Sequence, residues 1–177
     1  MSANVDEPVE ITDYDPHSEG RYRAERDRVR LGLATASLKF EHIGSTAVPG
    51  LAGKPIVDLM LGASPTVWAA LEELRPRVIA LGYEDLGEAG VPGRVSFRKR
   101  TALRAFNLAL VEEGGPLWRD NLALRDYLRA HPEEAAAYAS AKRAAIAGGA
   151  TTLLAYSVVK APALAGLTEK ARAWRPR

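Results

Sequence analysis

The chain has 177 residues, 47% of them hydrophobic and 26% charged, with 24 basic side chains against 22 acidic ones and a formal net charge of +2. That length suits one hydrophobic core, so a single domain over residues 1–177 is expected, and charges this balanced lack the clustered basic stripe that nucleic acid would require. Cysteine is absent and histidine occurs only at positions 17, 42 and 131, which excludes disulfide scaffolds, thiolate nucleophiles and thiolate-bound zinc.

No run approaches the roughly 20 apolar residues of a membrane span. Residues 1–10 are polar and acidic, without the apolar segment of a secretory signal. A cytoplasmic protein acting on a small molecule, without membrane or nucleic-acid partners, is the expectation.

Val9-Glu10-Ile11 alternates as a short strand does, and Asp15-Pro16 opens a helix reaching about Thr35, with Arg21, Glu25 and Arg28 on its solvated face. Leu38 to Ile43 reads as a strand. It runs into the loop Gly44-Ser45-Thr46-Ala47-Val48-Pro49-Gly50, and a second apolar strand follows from Ile56 to Leu61, interrupted by Asp58. Ser64-Pro65 supplies an N-cap and first-turn proline for a helix carrying Val67, Leu71, Leu74 and Ile79, which Pro76 should kink or split. Gly82-Tyr83 and a glycine-rich turn, Gly87 to Gly93, come next. Strands are predicted at about Val95 to Lys99 and Arg104 to Val111. Pro116 then starts a helical third: Leu117 to Ala130, Pro132 to Ala147 and roughly Thr151 to Trp174, broken at His131-Pro132 and Gly148-Gly149. Strands crowded ahead of helices make an α+β domain, with a sheet part at about 9–112 and a helical part at about 116–174.

The chemistry concentrates between Glu41 and Leu59. A strand ends in Gly44-Ser45, a loop offers free amides and hydroxyls, and the next strand presents a carboxylate that is costly to bury unless something binds it. Glycine lets the backbone approach an anion, and a cation on the carboxylate could bridge to the same phosphates.

The words of this segment, His42-Ile43-Gly44-Ser45-Thr46-Ala47-Val48-Pro49-Gly50-Leu51-Ala52-Gly53-Lys54-Pro55-Ile56-Val57-Asp58, resemble the signature of the GrpB family. That family belongs to the nucleotidyltransferase superfamily and is also found appended to some dephospho-CoA kinases. Tyr14-Asp15-Pro16, the turn from Gly87 to Arg94 and the stretch from Trp118 to Pro132 resemble it as well. The resemblance implies a nucleotidyltransferase-like mixed β-sheet flanked by helices, with a helical C-terminal segment. It also implies a nucleotide or other phosphorylated small molecule at Gly44, Ser45 and Thr46, a divalent cation such as magnesium on Asp58, and transfer of a nucleotidyl group. Two positions depart from the pattern. The second acid of the superfamily's pair would fall at Met60, and where relatives read His-Leu-His-Val this chain has Asn107-Leu108-Ala109-Leu110. The alternatives are therefore a ligand-binding domain without catalysis, or a pocket reused for acid–base chemistry on a specialised metabolite.

Asp58 is the expected metal or hydroxyl ligand and catalytic group, with His42 as the second catalytic candidate. Lys54, Arg94, Arg98 and Lys160 are candidates for neutralising phosphate, with Asn107 as a hydrogen-bonding or weak metal ligand. Arg98 and Lys99, adjacent on a strand, should point to opposite faces. Lys142 stands where relatives also carry lysine, Tyr156 and Lys160 share a helix face and could close the pocket, and Trp118 and Tyr127 read as core.

Overall fold

The structure, a computed structural model, describes residues 6–34 and 37–174. Five strands form one mixed sheet: β1 (Leu38–Ile43), β2 (Val57–Ala63), β3 (Glu84–Asp85), β4 (Arg94–Arg100) and β5 (Ala105–Glu112), in the order β1-β2-β5-β4-β3. Only β2 and β5 run parallel; the other neighbours are antiparallel. The helices are α1 (Ser18–Leu33), α2 (Pro65–Ala69), α3 (Leu71–Ala80), α4 (Pro116–Ala130), α5 (Pro132–Ala147) and α6 (Leu153–Ala173). None among the described residues is long and apolar enough to cross a membrane. The architecture is the expected one, a helix-flanked mixed sheet with a helical C-terminal part.

Strand alternation gives the sheet two unlike faces. One is apolar: Leu59, Leu61, Phe97, Leu108 and Leu110 pack against Tyr22, Val29 and Leu33 of α1 and Leu74 and Val78 of α3. The opposite face carries a row set by the register, Ile43–Asp58–Asn107–Arg98–Glu84. Beside it a smaller cluster forms where Ile43, Met60 and Val111 meet Trp118 of α4. Gly62 on β2 permits that contact, because a Cβ there would stand 2.6 Å from the Trp118 ring. The turn after Ser45 is fixed to the helical part by Val48 and Leu51, which pack with Leu128, Tyr138 and Leu167.

Several local expectations require correction. Residues 9–11 form no strand; Pro8 bridges Thr152 and Thr12 bridges Gly53, so the segment crosses between two partners instead of running along one. The first helix ends at Leu33 and Ala34 caps it in the left-handed region at φ 49, while Thr35 lies outside the described residues. The second predicted helix is indeed two, but the break falls at Ala70 and Pro76 sits inside α3. Val78 is buried and Ile79 half exposed, because the apolar stripe follows 67, 71, 74 and 78. The two-residue β3 has no sequence signal.

Glu25 departs most. Far from lying on a solvated face, it is 6% exposed, and its carboxylate accepts from Arg28 Nη2 (2.6 Å), Tyr83 Oη (2.9 Å) and Lys99 Nζ (3.2 Å). Burial alone would push this carboxyl up, but the Arg28 and Tyr83 hydrogen bonds and the Arg28 and Lys99 charges outweigh it and hold it below the ordinary range. Replacing Glu25 with Gln leaves two cations facing a neutral amide, so a loss of about 3–5 kcal/mol in urea unfolding is expected. A carboxyl lowered by folding stabilises above its ordinary value and loses that contribution as pH falls through its folded value. The gap between wild type and E25Q should therefore close on acidification; a gap constant down to pH 3 would refute the assignment.

Candidate functional site

Asp58 is the centre of the polar face. Its Oδ1 accepts from Asn107 Nδ2 at 2.7 Å, and Asn107 Oδ1 in turn accepts from Arg100 Nη2 at 3.0 Å. Arg100 is held by Glu7 at 2.7 Å. The chain Glu7–Arg100–Asn107–Asp58 thus fixes the amide so that its NH2 meets the carboxylate. Among the described residues Asp58 Oδ2 accepts no hydrogen bond, and it lies against Gly44, which turns at φ +72; a Cβ there would stand 2.4 Å from Oδ2. Glycine is required at 44 both for the backbone and for the carboxylate.

Asp58 opens into a cleft of about 270 Å³ between the Gly44-Ser45 loop and helices α4, α5 and α6, lined also by Lys54, Arg94, Lys142 and Lys160. Lys142 of α5 is 2% exposed. Its Nζ donates to Ser45 Oγ at 2.8 Å and to the Ala52 carbonyl, and stands 4.6 Å from the Tyr138 ring centroid. Burial first, then the positive charges of Lys160 and Arg143, bring its amine down to about 7. Gly53 makes room for this contact, since a Cβ there would meet Ser45 Cβ at 2.5 Å. Lys160 reaches the cleft from α6 with its ammonium 5.3 Å from the Tyr156 ring centroid, and burial lowers it too. Arg94 lies close enough to Asp58 for the carboxylate to offset part of its burial, although burial dominates and lowers it.

The predicted residues divide accordingly. Gly44, Ser45, Lys54, Asp58, Arg94 and Lys160 meet in one cleft. Asn107 stands behind Asp58 rather than in that cleft. Arg98 shares the Asp58 face, as expected from its opposition to Lys99, but is tied to Glu84 at 2.6 Å. Thr46 faces away: its hydroxyl donates to the Ile56 carbonyl (3.3 Å) and bonds His42 Nε2 (3.0 Å). His42 occupies the opposite face of the sheet, because β1 pairs Ile43, not His42, with Asp58. It is 4% exposed, its ring stacks on Tyr22 at 4.6 Å, and its Nδ1 meets Glu19 at 3.0 Å. Burial lowers it despite the Glu19 carboxylate. Both ring nitrogens are engaged, so its contact with the cleft is indirect, through Thr46 and the loop.

Sequence reasoning did not single out Arg100, Gly53 or Arg125. Arg125 lines the cleft and pairs with Glu41 at 2.6 Å. The motif words around Gly53 and Arg125 were available as signals, but nothing marked Arg100 among the basic residues of β4.

A helix-flanked mixed sheet with a cation-lined cleft over one strand carboxylate defines the class. The model of the family described as GrpB protein matches residues 8–170, and the chain belongs to that family. UPF0157 protein YqkA of Bacillus subtilis is 31% identical over 94% of this chain and 48% of its own length. UPF0157 protein SCO7215 of Streptomyces coelicolor is 32% identical over 94% of this chain and 86% of its own length. The chain therefore spans about half of the Bacillus relative. The crystal structure of conserved protein GrpB from Enterococcus faecalis superimposes with a TM-score of 0.82 at 25% identity, covering 94% of this chain and 100% of that one.

Two expectations test the geometry. Gly44→Ala must place a methyl against Asp58 Oδ2 in a left-handed backbone, which should cost about 1–3 kcal/mol in urea unfolding; shortening the acid in G44A/D58G should recover part of it. For Lys142, the unfolded chain holds its proton up to about the ordinary value of 10.5, whereas the folded chain releases it above about 7. Stability from this group therefore rises with pH across that window. Lys142→Met should flatten the rise, and an unchanged slope would show that the amine is not the group titrating.

Proposed function

We propose that the Ser45 cleft binds a nucleotide or another phosphorylated small molecule, and that the family's transfer chemistry takes place beside Asp58. The observation that carries this reading is the convergence of Lys54, Arg94, Lys142 and Lys160 on a cleft whose loop hydroxyl, Ser45 Oγ, is already held by a buried amine. A phosphate group would accept from Ser45 and these cations without further rearrangement of the backbone. The GrpB resemblance to nucleotidyltransferases supports the nucleotide over other phosphorylated molecules. The cations line a cleft rather than spreading over a surface, which supports a small molecule over nucleic acid.

A divalent cation fits only together with such a ligand. Asp58 offers one oxygen, Oδ2, Asn107 turns its NH2 toward the acid, and no group of three or more His, Asp or Glu among the described residues could hold an ion. Magnesium is commonly bound by one or two carboxylates plus substrate phosphates, and Asp58 with the ligand's phosphate oxygens would supply that set. When bound, such an ion neutralises charge on the phosphates. The chain's own residues position the phosphorus for attack by an acceptor and balance charge on the leaving phosphate.

A second reading, binding without turnover, is favoured by Met60. It is fully buried among Ile43, Val111 and Trp118 where the pattern's second acid would stand, and Ala109 lies next to it across the sheet.

Isothermal titration with ATP and magnesium should give a measurable affinity at pH 7 that falls tenfold or more in Lys142→Met and Ser45→Ala. Because a phosphate beside Lys142 favours its charged form, binding should take up a proton above pH 7 and weaken as pH rises. Absence of ATP, CTP, GTP and UTP binding would overturn the nucleotide reading. If a nucleotide binds, failure of Asp58→Asn to alter magnesium dependence would remove the metal role, and production of pyrophosphate would exclude binding without turnover.

A further inference from the structure

The Asp58 face continues along β4 into a second cavity of about 340 Å³. It shares Lys54, Asp58 and Arg94 with the Ser45 cleft, so the carboxylate stands between two compartments. Ser96 lies in the wall of the second. It is 9% exposed and its Oγ has no hydrogen-bond partner; the buried Nε of Arg94 has none either. Among the described residues these are the two buried side-chain nitrogen or oxygen atoms left without one. Both come from the same strand, two residues apart, which places them on one face about 7 Å apart along the chain. Leaving such groups unpaired costs stability, and their coincidence in one cavity marks a place where a ligand completes them.

The chemistry of that ligand follows from the two groups. Each can donate one hydrogen bond, and a carboxylate has two oxygens to receive them. Of the other cations lining the cavity, Arg98 is already paired with Glu84 and Arg100 with Glu7, and Glu7 and Asp58 add negative charge to the wall, so a singly charged carboxylate suits it better than a phosphate dianion. Ala109 pairs in register with Ser96, so the residue beside the hydroxyl on the next strand carries only a methyl. Leu153 and Leu154 complete an apolar wall.

We infer that this cavity is a second ligand site, taking a small aliphatic carboxylate whose oxygens accept from Ser96 Oγ and Arg94 Nε while its body lies over Ala109. That the bound carboxylate is the molecule receiving the transferred group rests on the function proposed above. Its binding does not.

The test uses the full chain labelled with 13C at alanine methyls, with Ala109 assigned through Ala109→Gly, titrated with butyrate. The Ala109 methyl should shift saturably. Ser96→Ala and Arg94→Met should each weaken the binding at least tenfold, and Ala109→Leu should abolish it. Ser96→Ala should also raise the melting temperature, since it deletes an unpaired buried hydroxyl, so lost binding cannot be ascribed to unfolding. No shift of Ala109, or a shift unaffected by Ser96→Ala and Arg94→Met, overturns the inference. So does a response to inorganic phosphate with none to butyrate. ATP titrated into the unsubstituted chain reports the Ser45 cleft separately: no nucleotide binding beside a saturable butyrate response defeats the proposed function and leaves this site standing, and nucleotide binding without a butyrate response defeats this site alone.

Discussion

A carboxylate placed in a central strand constrains everything around it. Asp58 stands in β2, with β1 on one side and β5 on the other, and a carboxyl group in that position needs polar partners. The compensation fixes the sequence at a distance. Gly44 must lack a side chain, Asn107 must present its NH2, Arg100 must orient that amide and Glu7 must hold Arg100. The contrast with Glu25, on the other side of the sheet, is instructive. Glu25 is saturated by an arginine, a lysine and a tyrosine and can only hold the fold together, whereas Asp58 receives one hydrogen bond from a neutral amide and keeps an oxygen for something else.

How much of this was legible depended on whether a feature is local. Strand β1 and the starts of α5 and α6 follow from apolar runs, prolines and glycines that act within a few residues, and they were readable. The sequence offers Asn107 as a hydrogen-bonding or weak metal ligand without pairing it with Asp58, because alternation says which residues share a face of a strand but not which residues face one another across strands. His42 shows the cost of that gap. It sits in the motif two residues before Gly44, yet the antiparallel register pairs Ile43 with Asp58, and a one-residue offset sends the imidazole to the opposite face. Glu25 is hidden from the sequence for a related reason: a charged helix face looks solvated until Tyr83 and Lys99 arrive from 58 and 74 residues away.

The cleft is assembled from both parts of the chain. The sheet and its loop contribute Asp58, Ser45 and Lys54, and the helical third contributes Lys142 and Lys160. Val48 and Leu51, in the same loop as Ser45, bury their side chains among α4, α5 and α6. Packing of the helical part and placement of the Ser45 hydroxyl are therefore one event, and a change at Leu167 would be felt at the site without touching it.

Met60, a departure from the superfamily pair that the chain shares with many GrpB relatives in the resemblance, and Ala109, a departure from the GrpB strand, act in one direction. Met60 and Ala109 put an apolar side chain where an acid would stand and a methyl where an imidazole would stand, side by side across β2 and β5. With Asp58 as the carboxylate among the described residues that line the cleft, cations outnumber carboxylates there. In a partly buried site the charge that enters first is the one that opposes this excess. A bare divalent cation in this cleft would face the repulsion of Lys54, Arg94 and Lys160 as well as the attraction of Asp58, whereas an anion would be drawn by those cations and could then present oxygens to an ion. On the function proposed above, an anion would therefore enter before a metal, and the apolar residues at 60 and 109 contribute to that order by adding no acid to offset the cations.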